Sequence, residues 1–135
     1  MSTEQETNVE LARRAFEAFN AGDADGVLAL LDPEVEIYMP NELPNSGTFH
    51  GHAGYHRWTT NWLDAWEDVT FELQDVRDAG DRVAVWVRAR VRGRASGVMG
   101  DLDWFACWRF SGAKVIGYRE YATWDEVLTD VSLVE

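Results

Sequence analysis

The sequence predicts an α+β fold in which helices pack on one face of a curved antiparallel sheet. In the first half of the chain, apolar residues recur three and four positions apart, which is the spacing of one helix face. In the second half, apolar and polar residues alternate over successive segments, which is the pattern of half-buried strands. Turn sequences such as "DAGD" and "SGAK" separate these segments, so we expect neighbouring strands to pair as a meander.

The first two helices are predicted from their capping residues. Residues 1–20 form one helix, with Thr7 and Glu10 as one candidate capping box and Thr3 and Glu6 as an earlier one. Asp23 caps a short second helix, which Pro33 ends. The apolar face of the first helix consists of Val9, Ala12, Phe16 and Phe19.

A strand, a loop and a third helix come next. Residues 35–39 form a short strand, and residues 40–51 form a loop rich in Pro, Asn and Gly. Loops of that length in a compact domain are often functional. The third helix covers residues 52–66, and its apolar stripe consists of Tyr55, Trp58, Trp62 and Trp66.

Four more strands and a last helix complete the chain. The strands are predicted at residues 69–73, 82–94, 100–110 and 115–121, and the helix at residues 124–131. Thr123 and Glu126 form a capping box for that helix. The length and the lack of a linker or repeat predict a single domain over residues 1–135.

Composition limits the classes of partner. The net charge of −12 makes nucleic acid and anionic membranes poor partners, and no apolar run is long enough for a membrane span. The single cysteine, Cys107, and the lack of a signal-peptide-like start predict a cytoplasmic location. Seven Trp, six Phe and four Tyr exceed what a core of this size needs, so we expect some of them to line a pocket for a small apolar ligand.

Three segments carry a family resemblance. They are "EAFNAGDADGVLALLDPEVEI", "GDRVAVWVRARVRGRASG" and "WRFSGAKVIGYREYATWDEVL". In order and spacing they resemble the SnoaL-like branch of the nuclear transport factor 2-like superfamily, over nearly the whole chain. The resemblance implies a cone in which a bent antiparallel sheet wraps a long helix around a deep apolar pocket. It also implies a homodimer formed through the outer face of the sheet.

Two chemistries of that superfamily do not carry over to this chain. The three positions of a ketosteroid isomerase site fall on Met39, Ala15 and Ala106, none of which can do its chemistry. An epoxide hydrolase of the limonene type uses an Asp–Arg–Asp set. Glu120 matches its last carboxylate and Arg88 matches its Arg, but Arg90 reverses the charge of the remaining Asp.

Strand alternation and the resemblance together predict the pocket. Trp86, Arg88 and Arg90 share one strand face, and we expect that face to be concave and to pair Arg88 with Glu120. The alternative is that the valines from Val83 to Val91 face inward and the arginines face solvent. The predicted catalytic residues are Glu120 and Arg88. The predicted substrate-binding residues are Met39, Tyr55, Trp58, Trp62, Trp86, Arg90, Trp104, Ala106, Trp108 and Tyr118.

These residues predict a protein that binds a small, largely apolar molecule bearing an anionic or carbonyl oxygen. Glu120 would act as general base or acid, oriented by Arg88, in isomerase, cyclase, dehydratase or hydrolase chemistry, and Arg90 would hold negative charge. No cofactor is expected. The alternative function is a non-catalytic ligand-binding or dimerisation module.

All three histidines lie in "GTFHGHAGYHRW", as His50, His52 and His56. Three protein ligands would be enough for catalytic zinc. Gly51 and Gly54, however, indicate a loop that enters a helix, and the three residues cannot share one strand face and one helix face at once. We therefore predict no metal site and expect this stretch to form the lip of the pocket.

Overall fold

The computed structural model describes residues 7–40, 46–64 and 66–132, with the backbone alone at Trp62 and Ser132. Four helices and six strands are found in these ranges. The helices are α1 (Asn8–Asn20), α2 (Ala24–Leu30), α3 (Gly51–Leu63) and α4 (Trp124–Ser132). The strands are β1 (Leu31–Met39), β2 (Gly47–His50), β3 (Trp66–Ala79), β4 (Arg82–Gly93), β5 (Met99–Ser111) and β6 (Lys114–Tyr121).

The predicted helix starts are confirmed at the caps. The Thr7 hydroxyl accepts a hydrogen bond from the Glu10 backbone N–H, and the Glu10 carboxylate accepts one from the Thr7 N–H. This capping box begins α1 at Asn8, and the earlier residues of the predicted helix lie outside the described ranges. The Asp23 carboxylate accepts from the Gly26 N–H and begins α2. Each cap satisfies a backbone donor that has no partner within its helix.

The strands form one mixed sheet in the order β2-β1-β6-β5-β4-β3. The meander from β3 to β6 is antiparallel, as predicted. The strand predicted at residues 35–39 begins earlier, at Leu31, and it pairs parallel with β6. The predicted loop contains β2, which pairs with β1. Register shifts within β3 bend the long strands, as bulges do, and give the sheet its curvature.

The sheet has two faces, which we call inner and outer. Valines of β4 and alternate residues of β5 on the inner face pack against α1 and α2 in the largest core cluster. The inner face of β4 carries Val83, Val85 and Val87. One prediction was wrong here, because the helices do not all pack on one face. The apolar side of α4 packs on the outer face, where Val127 and Val131 contact Ala84 and Cys107.

Two glycines bring α3 against the sheet. Gly51 adopts a φ of 71°, a left-handed conformation that glycine adopts without strain, and so allows β2 to turn directly into α3. A side chain at Gly54 would meet the Phe49 backbone carbonyl carbon at 2.7 Å, so α3 can approach β2 this closely only with glycine there. The His52 ring is 3.0 Å from the Leu31 carbonyl oxygen and ties α3 to the start of β1. Tyr55 and Trp58 are thereby held above the inner face.

Candidate functional site

A cavity of about 70 Å³ lies between the inner face of the sheet and helices α1, α2 and α3. Its walls are almost entirely apolar. The aromatic side chains of the described residues that line it are Phe16, Phe19, Tyr55, Trp58, Phe71, Trp104, Trp108 and Tyr118. The other lining residues are Ala15, Val27, Leu31, Val35, Ile37, Thr59, Val87, Val115 and Glu120. One carboxylic acid therefore lies within an apolar and aromatic wall.

Glu120 is that carboxylic acid, and only 6% of it is exposed. Among the described residues it makes one hydrogen bond, accepted by Oε2 from the Tyr118 hydroxyl at 2.7 Å, and no ion pair. Burial disfavours the carboxylate and raises the pKa of Glu120 from 4.5 to about 7, although the Tyr118 hydrogen bond opposes this rise. Near neutral pH, Glu120 can therefore both donate and accept a proton.

The alternation of β6 places Tyr118 and Glu120 on the same face, so that the hydroxyl reaches the carboxylate. The register with β5 sets what surrounds them, because Ala106 lies opposite Glu120 and Trp108 lies opposite Tyr118. The strand spacing therefore places a carboxyl group and a hydroxyl group together on the cavity wall.

Further polar groups line the cavity. The indole N–H of Trp108 is buried and has no hydrogen-bond partner among the described residues. Burial raises the pKa of Tyr55 to about 12, so its phenol stays protonated. Burial and the nearby Glu120 raise the pKa of Tyr118 well above 10, so this phenol also stays protonated. Glu120 is therefore the lining group in the described part of the chain that titrates near neutral pH.

The aromatic rings contact one another around the cavity. Phe16 packs edge-on against Phe71, with ring centroids 5.6 Å apart, and Trp58 lies 5.2 Å from Tyr118. The Asn20 side chain fixes one side of this wall, because its amide donates to the Phe71 carbonyl and accepts from the Phe71 N–H, both at 2.8 Å. These two hydrogen bonds hold the end of α1 against β3. Paired rings at these distances stabilise each other beyond simple burial.

The prediction for Trp86, Arg88 and Arg90 was wrong. All three lie on the outer face, because Val87 is the residue opposite Trp104 in the register and Arg88 is opposite Asp103. The Arg88 Nε donates to Asp103 at 2.8 Å, and the hydrogen bond and charge of Arg88 hold the pKa of Asp103 below its usual value.

Arg90 and Trp86 also have partners on the outer face. Arg90 pairs with Asp101 at 3.3 Å, and Trp86 packs against Phe105 and Trp124. Neither Arg88 nor Arg90 can therefore pair with Glu120. The alternative, with the valines facing inward, is the observed arrangement.

The other predicted residues divide into three groups. Tyr55, Trp58, Trp104, Trp108 and Tyr118 line the cavity together with Glu120. Met39 and Ala106 are buried next to it, Met39 in a cluster with Tyr55, Trp58 and Tyr118 and Ala106 in the main core. The side chain of Trp62 lies outside the described residues.

Sequence reasoning missed the contribution of α1 and β3 to the wall. Phe16 and Phe19 were predicted on the apolar face of the first helix and Phe71 in the strand at residues 69–73, and all three line the cavity. Their helical and alternating spacing gave the correct face but could not show that this face is incompletely filled.

The sequence also contains a pattern that indicates the outward orientation of Arg88 and Arg90. Asp101 and Asp103 repeat the two-residue spacing of Arg88 and Arg90, which is what cross-strand ion pairs require.

The three histidines have separate surroundings. His50 lies 3.2 Å from Glu34, His52 contacts the Leu31 carbonyl, and His56 is exposed. None of them lines the cavity, although Tyr55, Trp58 and Thr59 of the same segment do. In the part of the chain that the structure describes, no group of three His, Cys, Asp or Glu side chains could hold a metal ion. Within the same ranges, no helix is long and apolar enough to cross a membrane.

The chain was compared with known proteins. The family model of the SnoaL-like domain matches residues 12–118. A search of the curated proteins found no match. Among solved structures, an NTF2-like protein of unknown function from Burkholderia pseudomallei has a TM-score of 0.77 at 23% identity, covering 95% of this chain and 99% of its own.

Two further solved structures were determined with small molecules. TerC, co-crystallised with polyporic acid, has a TM-score of 0.76 at 21% identity and covers 93% of this chain and 98% of its own. A protein with a ketosteroid isomerase-like fold from Catenulispora acidiphila, in complex with trimethylamine, has a TM-score of 0.72 at 14% identity. It covers 94% of this chain and 95% of its own. At such identities these structures show the fold alone. The match of the family model over most of the chain shows that this protein belongs to the SnoaL-like domain family and has the NTF2-like fold.

Proposed function

We propose that this protein binds a small, largely apolar molecule in the cavity and that Glu120 transfers a proton to or from it. The observation that carries this proposal is a buried carboxyl group whose pKa lies near 7, within an apolar wall and with the Tyr118 hydroxyl as its hydrogen-bond donor. A general acid or base is most effective when its pKa is close to the working pH. No arginine in the described ranges pairs with Glu120, so no positive charge lowers that pKa.

Each polar group has a part in the proposed reaction. Glu120 removes a proton from a carbon next to a carbonyl group, or donates one to an oxygen, and Tyr118 orients the carboxylate through its hydrogen bond. The buried Trp108 N–H is proposed as the donor to a ligand oxygen on which negative charge develops. The proposed ligand carries no negative charge, because Arg88 and Arg90 lie on the outer face and no described basic side chain lines the cavity.

Deuterium exchange tests the proposal without knowledge of the natural substrate. Small ketones, from acetone to cyclohexanone, are incubated with the protein in D2O, and loss of the protons next to the carbonyl group is followed by NMR. General base catalysis predicts exchange about 100-fold faster with the wild type than with Glu120→Gln. Glu17→Gln is the matched control, because Glu17 is an exposed glutamate on α1. Equal rates for the wild type and Glu120→Gln would contradict the proposal.

A second candidate is non-catalytic binding of a small molecule in the same cavity. The observation that favours it is that Glu120 is alone among the described lining residues in titrating near neutral pH. A reaction that needs separate acid and base groups would lack one of them. Ligands that bind to the wild type but undergo no exchange would favour this candidate.

We also propose a homodimer formed through the outer face, in a cytoplasmic protein that needs no cofactor. The support is family membership and the part of the outer face that α4 leaves open, where Tyr38 is 37% exposed. Light scattering on the eluting protein should give about twice the chain mass of 15.3 kDa. A mass of one chain at micromolar concentration would remove the dimer from the proposal.

A further inference from the structure

The cavity combines two features that together indicate the charge of its ligand. Eight aromatic side chains of the described residues surround it, and a carboxylate lies in its wall. The faces of aromatic rings carry negative potential and attract cations, most strongly where water is excluded. Neither the rings nor the carboxylate offers a partner to a negatively charged ligand.

Charge balance gives a second reason. A buried carboxylate is costly unless a positive charge accompanies it. The described residues that line the cavity with Glu120 come from α1, α2, α3, β1, β3, β4, β5 and β6, and they include no Lys, Arg or His. The titratable ones among them are the phenols of Tyr55 and Tyr118, which stay neutral. The positive charge that would stabilise the buried Glu120 carboxylate can therefore come from the ligand.

Size and net charge narrow the class of cation. About 10–15 Å³ of cavity volume accommodates one water molecule, so about 70 Å³ has room for roughly five to seven atoms of that size, and the bound group must be compact. Lys and Arg side chains or metal ions keep much of their hydration, whereas a methylated ammonium group presents apolar methyl groups to the rings. The net charge of −12 raises the local concentration of cations around the protein.

We propose that this cavity binds a small alkylammonium ion, with Glu120 as its counter-ion and the aromatic wall around its methyl groups. The proposal shares the cavity of the proposed function and names its ligand class, but it does not require that any reaction take place.

Calorimetric titration with tetramethylammonium chloride tests this proposal, with tert-butanol as a neutral molecule of similar shape. Tetramethylammonium has no proton to lose, so any pH dependence belongs to the protein. Since the cation binds the ionised carboxylate, its affinity should be about 100-fold weaker at pH 5 than at pH 8. Above pH 8 the affinity should stay constant, because Glu120 is then fully ionised. The bound cation should in turn lower the pKa of Glu120.

Three variants separate binding in the cavity from binding to the acidic surface. Glu120→Gln should weaken binding of the cation at pH 8 at least tenfold and remove its pH dependence, whereas Glu17→Gln should change neither. Trp58→Leu keeps an apolar wall but removes a ring, and should weaken binding of the cation about threefold to tenfold while leaving tert-butanol unaffected. Thermal unfolding of each variant shows that it is folded before titration.

Several results would overturn the alkylammonium proposal. They are tert-butanol binding as tightly as tetramethylammonium at pH 8, no binding of the cation at millimolar concentration, or binding that persists in Glu120→Gln. The proposed proton transfer is judged separately. Ketone exchange that depends on Glu120, without cation binding, would reject the ligand class alone, and cation binding without exchange would reject the reaction alone.

Discussion

Replacing Glu120 by Gln should stabilise the protein at alkaline pH and have much less effect in acid. The substitution keeps the size of the side chain and an oxygen that can accept from Tyr118, but removes the ionisable proton. In the folded protein the pKa of Glu120 is raised to about 7, whereas in the unfolded chain it returns to about 4.5. The folded state therefore holds this proton more tightly than the unfolded state does.

The sign and size of the effect follow from that difference. Below pH 4.5 the Glu120 carboxyl is protonated in both the folded and the unfolded state, so its ionisation does not lower the free energy of unfolding. Between pH 4.5 and 7 the unfolded state loses its proton first, so the free energy of unfolding falls as pH rises. At about 1.4 kcal/mol for each pKa unit, the loss is about 3 kcal/mol once pH exceeds 7. Against a typical total of about 5–15 kcal/mol, this is a large contribution.

Urea unfolding of both proteins at pH 4.5 and pH 8 measures the effect. The stability of Glu120→Gln relative to the wild type should increase by about 3 kcal/mol between the two pH values. Comparing the two proteins at the same pH cancels the pH dependence of all other groups. Comparing the two pH values then cancels any pH-independent effect of the amide. Glu17→Gln, as the exposed control, should show no such change. A constant difference between Glu120→Gln and wild type across this range would refute the reasoning that burial raises the pKa of Glu120.

The remaining predictions concern the neighbours of this group and the scaffold. Tyr118→Phe removes the hydrogen bond that lowers the pKa of Glu120, so the carboxyl titration followed by carbon-13 NMR should move above pH 7; a move to lower pH would be inconsistent with the observed bond. Arg88→Ala should leave that titration unchanged, because Arg88 pairs with Asp103 on the outer face, and a clear shift would place Arg88 near Glu120 after all. Thr7→Ala should lower the free energy of unfolding by about 1 kcal/mol in urea titrations, and no change would mean that the cap of α1 contributes nothing.

The fold could be predicted further from the sequence than the site could. Caps and apolar periods depend on neighbouring residues along the chain, and they located the helices and most of the meander to within a few residues. The exception is β3, which was predicted at residues 69–73 and extends over Trp66–Ala79. The parallel pairing of β1 with β6 was missed because nothing in residues 31–39 records which distant strand they meet. The position of α4 on the outer face was missed for the same reason.

The site prediction depended on which face of β4 points inward. Alternation separates Val87 from Arg88 but assigns neither to the interior, and the family resemblance favours the arginines. The cost of burial favours the valines, because two guanidinium groups inside an apolar cavity cost far more free energy than three valines do. Glu120 lines the cavity, but Arg88, the partner expected for it, pairs with Asp103 on the outer face.

The wall of the cavity and the core of the protein are largely the same residues. Val35 and Val115 are almost fully buried and also line the cavity, so any substitution that reshapes the cavity there also removes packing that holds the sheet to its helices. Tyr55 and Trp58 on α3 are only partly buried. Changes of ligand preference during evolution or engineering should therefore accumulate on α3, where altered shape costs the least stability.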